Sequence, residues 1–174
     1  MKRRVIWTIA AACVFAAPGC GGGNGTGEDA DTTAVWFSSP EKVVEGLMHA
    51  YATRNDSLYA ELLADEFRYY FEPPDADPAD VLGWGKEEDL VATGNLFRTP
   101  DVEKLSLGLT AGEPRPAGDQ GEPGWVMIPI SGGELRVEVK DKDPMLVTLN
   151  RQEIYVRNDD SRWQVIQWRD YPEP

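Results

Sequence analysis

Residues 125–140 read WVMIPISGGELRVEVK, and the parity of their apolar positions decides the fold. Val126, Ile128 and Ile130 are even, whereas Leu135, Val137 and Val139 are odd. Successive residues of a strand point to opposite faces, so an unbroken ladder would put these two sets on opposite sides. One extra residue at Ser131-Gly132-Gly133 returns both to one face, as a β-bulge does, and glycine suits that position. The other reading is a Gly-Gly turn at 132–133 that divides the segment into two hairpin strands. The bulge predicts a single long, bent strand. The next strand-like segment, Met145 to Arg157, shows the same switch: Val147 and Leu149 are odd, Ile154 and Val156 even. A matching irregularity is expected there. A further strand runs from Arg162 to Asp170, with turns at 141–144 and 158–161.

Working back toward the N-terminus, Leu105, Leu107 and Leu109 alternate with polar residues, and AGEPRPAGDQGEPG (111–124) is a long Pro/Gly loop. Upstream the period changes. Ser38-Ser39-Pro40-Glu41 is a helix start, with Ser38 and Glu41 spaced as a capping box and proline in the first turn. Val43, Val44, Leu47, Met48 and Tyr51 then share one helical face. Asn55-Asp56-Ser57 opens a second helix with Leu58, Tyr59, Leu62 and Leu63 as its buried stripe. Phe67, Tyr69 and Phe71 alternate as a short strand that Pro73-Pro74 ends. Asp75 to Gly85 reads as a loop. Lys86 to Phe97 reads as a third helix whose Glu87, Glu88 and Asp89 suit its N-terminal dipole. Three helices followed by a bent antiparallel sheet make an α+β domain, with the N-terminal helices packed in the concave face of a strongly curved, cone-like sheet.

The chain opens differently. Lys2-Arg3-Arg4 precede an uncharged run from Val5 to Ala17, then Pro18-Gly19-Cys20. A basic start, a short apolar run and small residues before a cysteine make a secretory leader. The run is shorter than the roughly 20 apolar residues that span a bilayer. The leader resembles a bacterial lipoprotein signal, which implies lipid attachment at Cys20, a signal peptide over 1–19, and anchoring to the cell membrane or outer membrane. In two respects it departs from that pattern: Ala17 stands where leucine is usual, and Pro18 precedes Gly19. Cys13 would leave too short an apolar run. The plainer alternative is a secretory signal cut near Gly19 with Cys20 unmodified. Gly21 to Ala34 contains nothing bulky and cannot bury apolar surface, so residues 20–35 read as a flexible tether with a reach of roughly 20 Å. The folded domain then occupies 36–174.

The 174 residues carry a formal charge of −13, and removing the leader would take away three cations. Such acidity repels phosphate, so no nucleic-acid partner is expected. With only Cys13 and Cys20 in the chain, a processed and acylated protein would hold no disulfide.

Three segments resemble the nuclear transport factor 2-like superfamily, in its SnoaL-like form: SPEKVVEGLMHAYATRNDSLYAELLADEFRYYF (39–71), KEEDLVATGNLF (86–97) and RWQVIQWRDYP (162–172). The resemblance implies a cone with an apolar pocket open at one end, and homodimers formed through the sheet. It says little of activity, because the fold hosts isomerases, dehydratases and non-catalytic binders alike.

Members with activity place a general acid or base inside the cone. The single histidine, His49, lies roughly 200° around its helix from Leu47 and reads as solvent-facing. Asp65-Glu66 read as a polar helix end. Glu134 and Glu138 fall on the wet face, and Arg151 and Glu153 read as an exposed pair. Asp170 shares parity with Ile166 and Trp168 and reads as half-buried. The aromatic load is the stronger feature: Tyr51, Tyr69, Trp84, Phe97, Trp125 and Trp168, with Arg98 and Asp170, form the candidate pocket for a small apolar ligand. Core filling is the competing explanation for each ring. No residue pattern supports a metal, a cofactor or a catalytic triad. The sequence thus favours a membrane-tethered, non-catalytic domain binding an apolar ligand or a protein partner. The alternatives are an isomerase or dehydratase built on a buried carboxylate, and a purely structural envelope protein.

Overall fold

The computed structural model describes residues 34–71, 82–118 and 121–171. The leader, Cys20 and nearly all of the tether lie outside these residues, as does most of the loop expected over 75–85. A 3-10 turn at Val35–Phe37 leads into α1 (Pro40–Thr53), α2 (Asp56–Leu62), β1 (Leu63–Phe71), β2 (Leu82–Gly85) and α3 (Lys86–Arg98). The remaining elements are β3 (Val102–Ala111), β4 (Arg115–Pro116), β5 (Val126–Val139), β6 (Met145–Leu149), β7 (Gln152–Asp159) and β8 (Arg162–Asp170).

Strand β5 is continuous through the glycines, which excludes the hairpin alternative. Leu109 pairs with Gly133 and Ala111 with Ile130, so Thr110 alone faces both Ser131 and Gly132. This is the bulge that the parity switch requires. It returns Ile128, Ile130, Leu135 and Val137 to one core. On the other edge of β5, Gly133 pairs with Leu149 and Ile130 with Gln152. The break at Asn150-Arg151 is the matching irregularity, and it divides the expected strand into β6 and β7. At Gly133 a Cβ would lie 2.3 Å from the Gly108 carbonyl oxygen, so only glycine lets β3 approach there.

The sheet runs β2-β1-β8-β7-β5-β3, with β4 and β6 also on β5. Every pairing is antiparallel except β1 with β8, which is parallel. The sheet is therefore mixed rather than purely antiparallel. Only a hairpin forces adjacent strands to oppose each other; β1 and β8 meet from opposite ends of the domain. The last four residues of the expected loop form β2, which pairs with β1 and sets Trp84 opposite Tyr69.

The helices cover the concave face. Ser39 rather than Ser38 caps α1, accepting from the Lys42 amide at 3.3 Å, while the Ser38 hydroxyl donates to the Val35 carbonyl. Proline at the first helical position fixes the cap one residue before it. Asn55 caps α2 through the Leu58 amide at 2.9 Å. Val43, Val44, Leu47, Ala50, Leu58 and Leu62 join the inner faces of β1, β3, β5, β7 and β8 in the main core. A second cluster of Ala64, Met127, Tyr155 and Ile166 lies on the outer face, since each neighbours an inward residue in its strand. Ala117 and Trp125, from the loop before β5, pack onto it.

Candidate functional site

Three adjacent strands build one row of rings on the inner face. Tyr69 on β1 is in register with Trp84 on β2 and with Trp168 on β8. The Tyr69 ring centroid is 5.7 Å from Trp84 and 5.9 Å from Trp168, with tilts of 39° and 43°. Trp168 is buried, whereas Tyr69 and Trp84 are half-buried toward one end of the sheet.

Helix α3 brings a carboxylate against this row. Asp89, Thr93 and Phe97 recur every four residues and turn inward, and Asp89 is only 5% exposed. Its Oδ2 accepts from the Tyr59 hydroxyl at 2.7 Å and its Oδ1 from Trp84 Nε1 at 3.1 Å. Tyr51 continues the network to Thr93 and Tyr59. Its ring packs edge-on against Tyr59 and Phe97, at 5.6 and 5.1 Å. Burial pushes the Asp89 carboxyl above its ordinary value, against the two donors that hold it down.

Asp170, at the end of β8, is the second carboxylate. It accepts from Gln152 Nε2 at 3.1 Å and from the Tyr69 hydroxyl. Gln152, 1% exposed, in turn accepts from Trp168 Nε1 at 3.2 Å. Burial raises the Asp170 carboxyl as well. Burial, then Asp170, Tyr51 and Asp89, push the Tyr69 phenol far up. Burial raises the Tyr51 phenol too, and lifts that of Tyr59 well above its ordinary value. The three phenols therefore stay protonated at neutral pH as hydrogen-bond donors beside two carboxylates. Among the described residues, neither carboxylate has a basic partner.

Six of the eight residues singled out from the sequence meet here: Tyr51, Tyr69, Trp84, Phe97, Trp168 and Asp170. Two do not. Arg98 is exposed on the far side of α3 and pairs with Asp56 at 2.5 Å. Trp125 belongs to the outer-face cluster. Asp89, Tyr59, Thr93 and Gln152 were missed as site residues. The four-residue spacing of Asp89, Thr93 and Phe97 was a signal for two of them; the first-turn position of Asp89 drew the reading to the helix dipole instead. Asp170 keeps its inward side through a bulge in β8: Tyr155 pairs with Gln167 and Val156 with Val165, which leaves Ile166 on the outer face. The parity shared by Ile166 and Asp170 is thus accidental.

His49 is exposed and stacks on Trp36 at 5.1 Å, away from the cluster. Asp65 and Glu66 are exposed within β1, not at a helix end. Glu153 corrects another expectation: it is 7% exposed, buried on the outer face. It accepts from Arg151 at 2.9 Å and from the Tyr155 and Tyr171 hydroxyls at 2.8 Å each. Burial alone would raise its carboxyl, but these donors bring it below its ordinary value. Two open surface grooves, of about 620 and 520 Å3, border Glu103 with Glu138–Pro144, and Asp65–Arg68 with Gly85–Glu88. Neither includes Tyr69, Asp89 or Asp170, and their charged, open walls lack the convergent donors of the inner cluster.

No protein-family model matches the chain, and no curated protein sequence does. Solved structures do. A conserved protein from Planctomyces limnophilus superposes with a TM-score of 0.59 at 14% identity, over 83% of this chain and 97% of that one. A nuclear transport factor 2-like protein of unknown function in nutrient uptake, from Rhodospirillum rubrum, gives 0.53 at 18% identity, over 78% and 99%. Another of unknown function, from Shewanella oneidensis, gives 0.51 at 13%, over 76% and 95%. The chain has the nuclear transport factor 2-like fold.

Proposed function

We propose that this is a lipid-anchored envelope protein whose domain binds a small molecule at the inner-face cluster without transforming it. One observation carries the binding reading: two carboxylates, three phenols and two indoles converge on the inner face, and Tyr69, Trp84 and Asp170 keep part of their surface toward solvent. A core built for stability alone has little reason to bury acids beside neutral donors. The leader before Cys20 and the glycine-rich segment after it support the anchor. The absence of histidine from the cluster, and the engagement of both Asp89 oxygens by donors, favour binding over proton abstraction.

Native mass spectrometry of the detergent-extracted full chain tests the binding reading. A small molecule should co-purify, and Trp84→Phe with Tyr69→Phe should release it. Unchanged retention in that double variant would end the assignment. For the anchor, Cys20→Ser should move the protein from the membrane to the soluble fraction. Continued membrane association would refute lipidation at that residue. An acid–base enzyme is the second reading, favoured by the raised Asp170 carboxyl beside the Tyr69 hydroxyl. It requires the co-purified molecule to be converted by the native chain and not by Asp170→Asn.

A further inference from the structure

Resting on the reading that the inner face takes a small molecule, we infer that this molecule is an organic cation of the quaternary ammonium type, held by the Trp84–Tyr69–Trp168 row with its charge beside Asp170. The row sets the Tyr69 ring between two indoles, 5.7 Å from Trp84 and 5.9 Å from Trp168, on three neighbouring strands, and the half-buried Tyr69 and Trp84 are its open end. Such faces attract cations, most strongly where water is excluded.

Charge gives the second argument. Asp170 and Asp89 are met by Gln152, Tyr69, Tyr59 and Trp84, all neutral. The basic side chains nearby are directed elsewhere. Lys86 reaches the Leu63 carbonyl and Asp65, Arg98 reaches Asp56, and Arg169 lies over the Tyr70 and Tyr155 rings of the outer face. A carboxylate held partly or wholly out of water without a counter-charge is costly, and a bound cation offsets that cost where a neutral or anionic ligand cannot. The acidity of the whole chain steers cations toward it.

Hydrogen-bonding capacity narrows the class. A primary ammonium carries three N–H donors and needs acceptors for them. Here two neutral donors already occupy about half of the lone-pair sites of each carboxylate, and the ring faces offer no acceptor. A cation with methyl groups in place of N–H needs no acceptor, loses little hydration, and presents its charge through apolar surface to the rings. Rings and carboxylate together therefore suit a methylated ammonium better than a lysine-like amine.

Calorimetric titration of the full chain with choline and with its neutral carbon isostere, 3,3-dimethylbutan-1-ol, tests this. Choline should bind at least about tenfold more tightly than the isostere. Asp170→Asn, which preserves shape, and Trp84→Phe, which preserves a weaker ring, should each weaken choline by about tenfold or more. Equal binding of the isostere would overturn the cation assignment and leave small-molecule binding intact. Failure of choline to bind while native mass spectrometry still finds a co-purified neutral molecule would do the same. If choline, the isostere and any co-purified molecule are all absent, both readings fall.

Discussion

At its native length β5 depends on its bulge, and Gly133→Ala should show how firmly the bulge is held. Were the two-against-one match with Thr110 lost with every residue kept, β5 would have an unbroken period of two and everything after Ile130 would change face. Val137, 2% exposed, would lose a burial worth about 1.5–3 kcal/mol, and the half-buried Leu135 and Val139 about 1 kcal/mol each. That sum, about 3.5–5 kcal/mol, precedes any cost of turning Glu134, Arg136 and Glu138 into the core. It already approaches the lower end of the roughly 5–15 kcal/mol that holds a domain of this kind together. Distorting the bulge is therefore cheaper than flattening it. In Gly133→Ala the added Cβ would meet the Gly108 carbonyl at 2.3 Å, and the backbone shift should cost about 1–3 kcal/mol. Deleting Gly132 instead removes the extra residue itself, so a regular strand keeps Leu135, Val137 and Val139 inward and the domain should still fold. Urea unfolding followed by tryptophan fluorescence and far-ultraviolet circular dichroism measures both. Deletion of Glu113, exposed in the loop between β3 and β4, is the control and should cost little. Loss of the fold on deleting Gly132, with the Glu113 deletion still folded, would show that one extra residue is not what brings the two apolar sets to one face.

Asp89→Ala would strand the buried Tyr59 hydroxyl and the Trp84 N–H, for a loss of about 2–4 kcal/mol in urea titration; Asp89→Asn keeps an acceptor and should show no such loss at neutral pH. Equal losses would mean that the hydrogen bonds are not what Asp89 contributes. Because folding raises the Asp89 and Asp170 carboxyls, the folded state holds their protons more tightly than the unfolded chain does. Their ionisation therefore costs stability as pH rises from about 3.9 through the raised values, and Asp89→Asn with Asp170→Asn should flatten that loss when midpoints are followed from pH 4 to 7. Glu153 has the opposite sign: its lowered carboxyl stabilises above the ordinary glutamate range and loses that contribution on acidification, so Glu153→Gln should remove part of the acid-side dependence. Glu66→Gln, breaking the exposed 3.3 Å pair with Arg157, should change stability by less than about 0.5 kcal/mol; a larger loss would mean that the pair belongs to a coupled network.

Much of the fold was legible because it rests on local periodicity. Helix starts, the strand-to-helix order and the β5 bulge each follow from residues within a few positions of one another. What the sequence hid depends on partners distant in the chain. Nothing local to β1 says that β8 will lie beside it in the same direction, and four residues of β2 are too few to show a period. Trp125 was misplaced despite an available signal, since it directly precedes the inward Val126 and must point the other way. Arg98 likewise follows the inward Phe97 by one helical step, about 100°. Glu153 could not be placed by parity alone. Tyr171, beyond the end of β8, and Tyr155 both donate to it, and Ala117 and Trp125 join Tyr155 and Met127 in the cluster on the same outer face. The ring row was half legible: its members stood out as aromatic residues, but their alignment across three strands is a matter of register.

The two faces of the sheet treat their buried acids differently, and that difference bears on why the inner ones are there. On the outer face Glu153 receives a guanidinium as well as two phenols, and its carboxyl is held below the ordinary range. On the inner face Asp89 and Asp170 receive only neutral donors, and both are pushed above it. Hydrogen bonds satisfy the geometry in each case; only the outer acid has its charge met. Stability would favour asparagine at both inner positions, since an amide can keep hydrogen bonds to the same neighbours without burying charge. An uncompensated pair of carboxylates beside two half-open aromatic faces, those of Tyr69 and Trp84, is therefore best understood as half of an interaction, with the positive half supplied by a ligand. If the Asp89→Asn, Asp170→Asn double variant proves no more stable at pH 7 than the native chain, the inner acids carry no uncompensated charge, and the case for a cationic occupant loses its electrostatic basis.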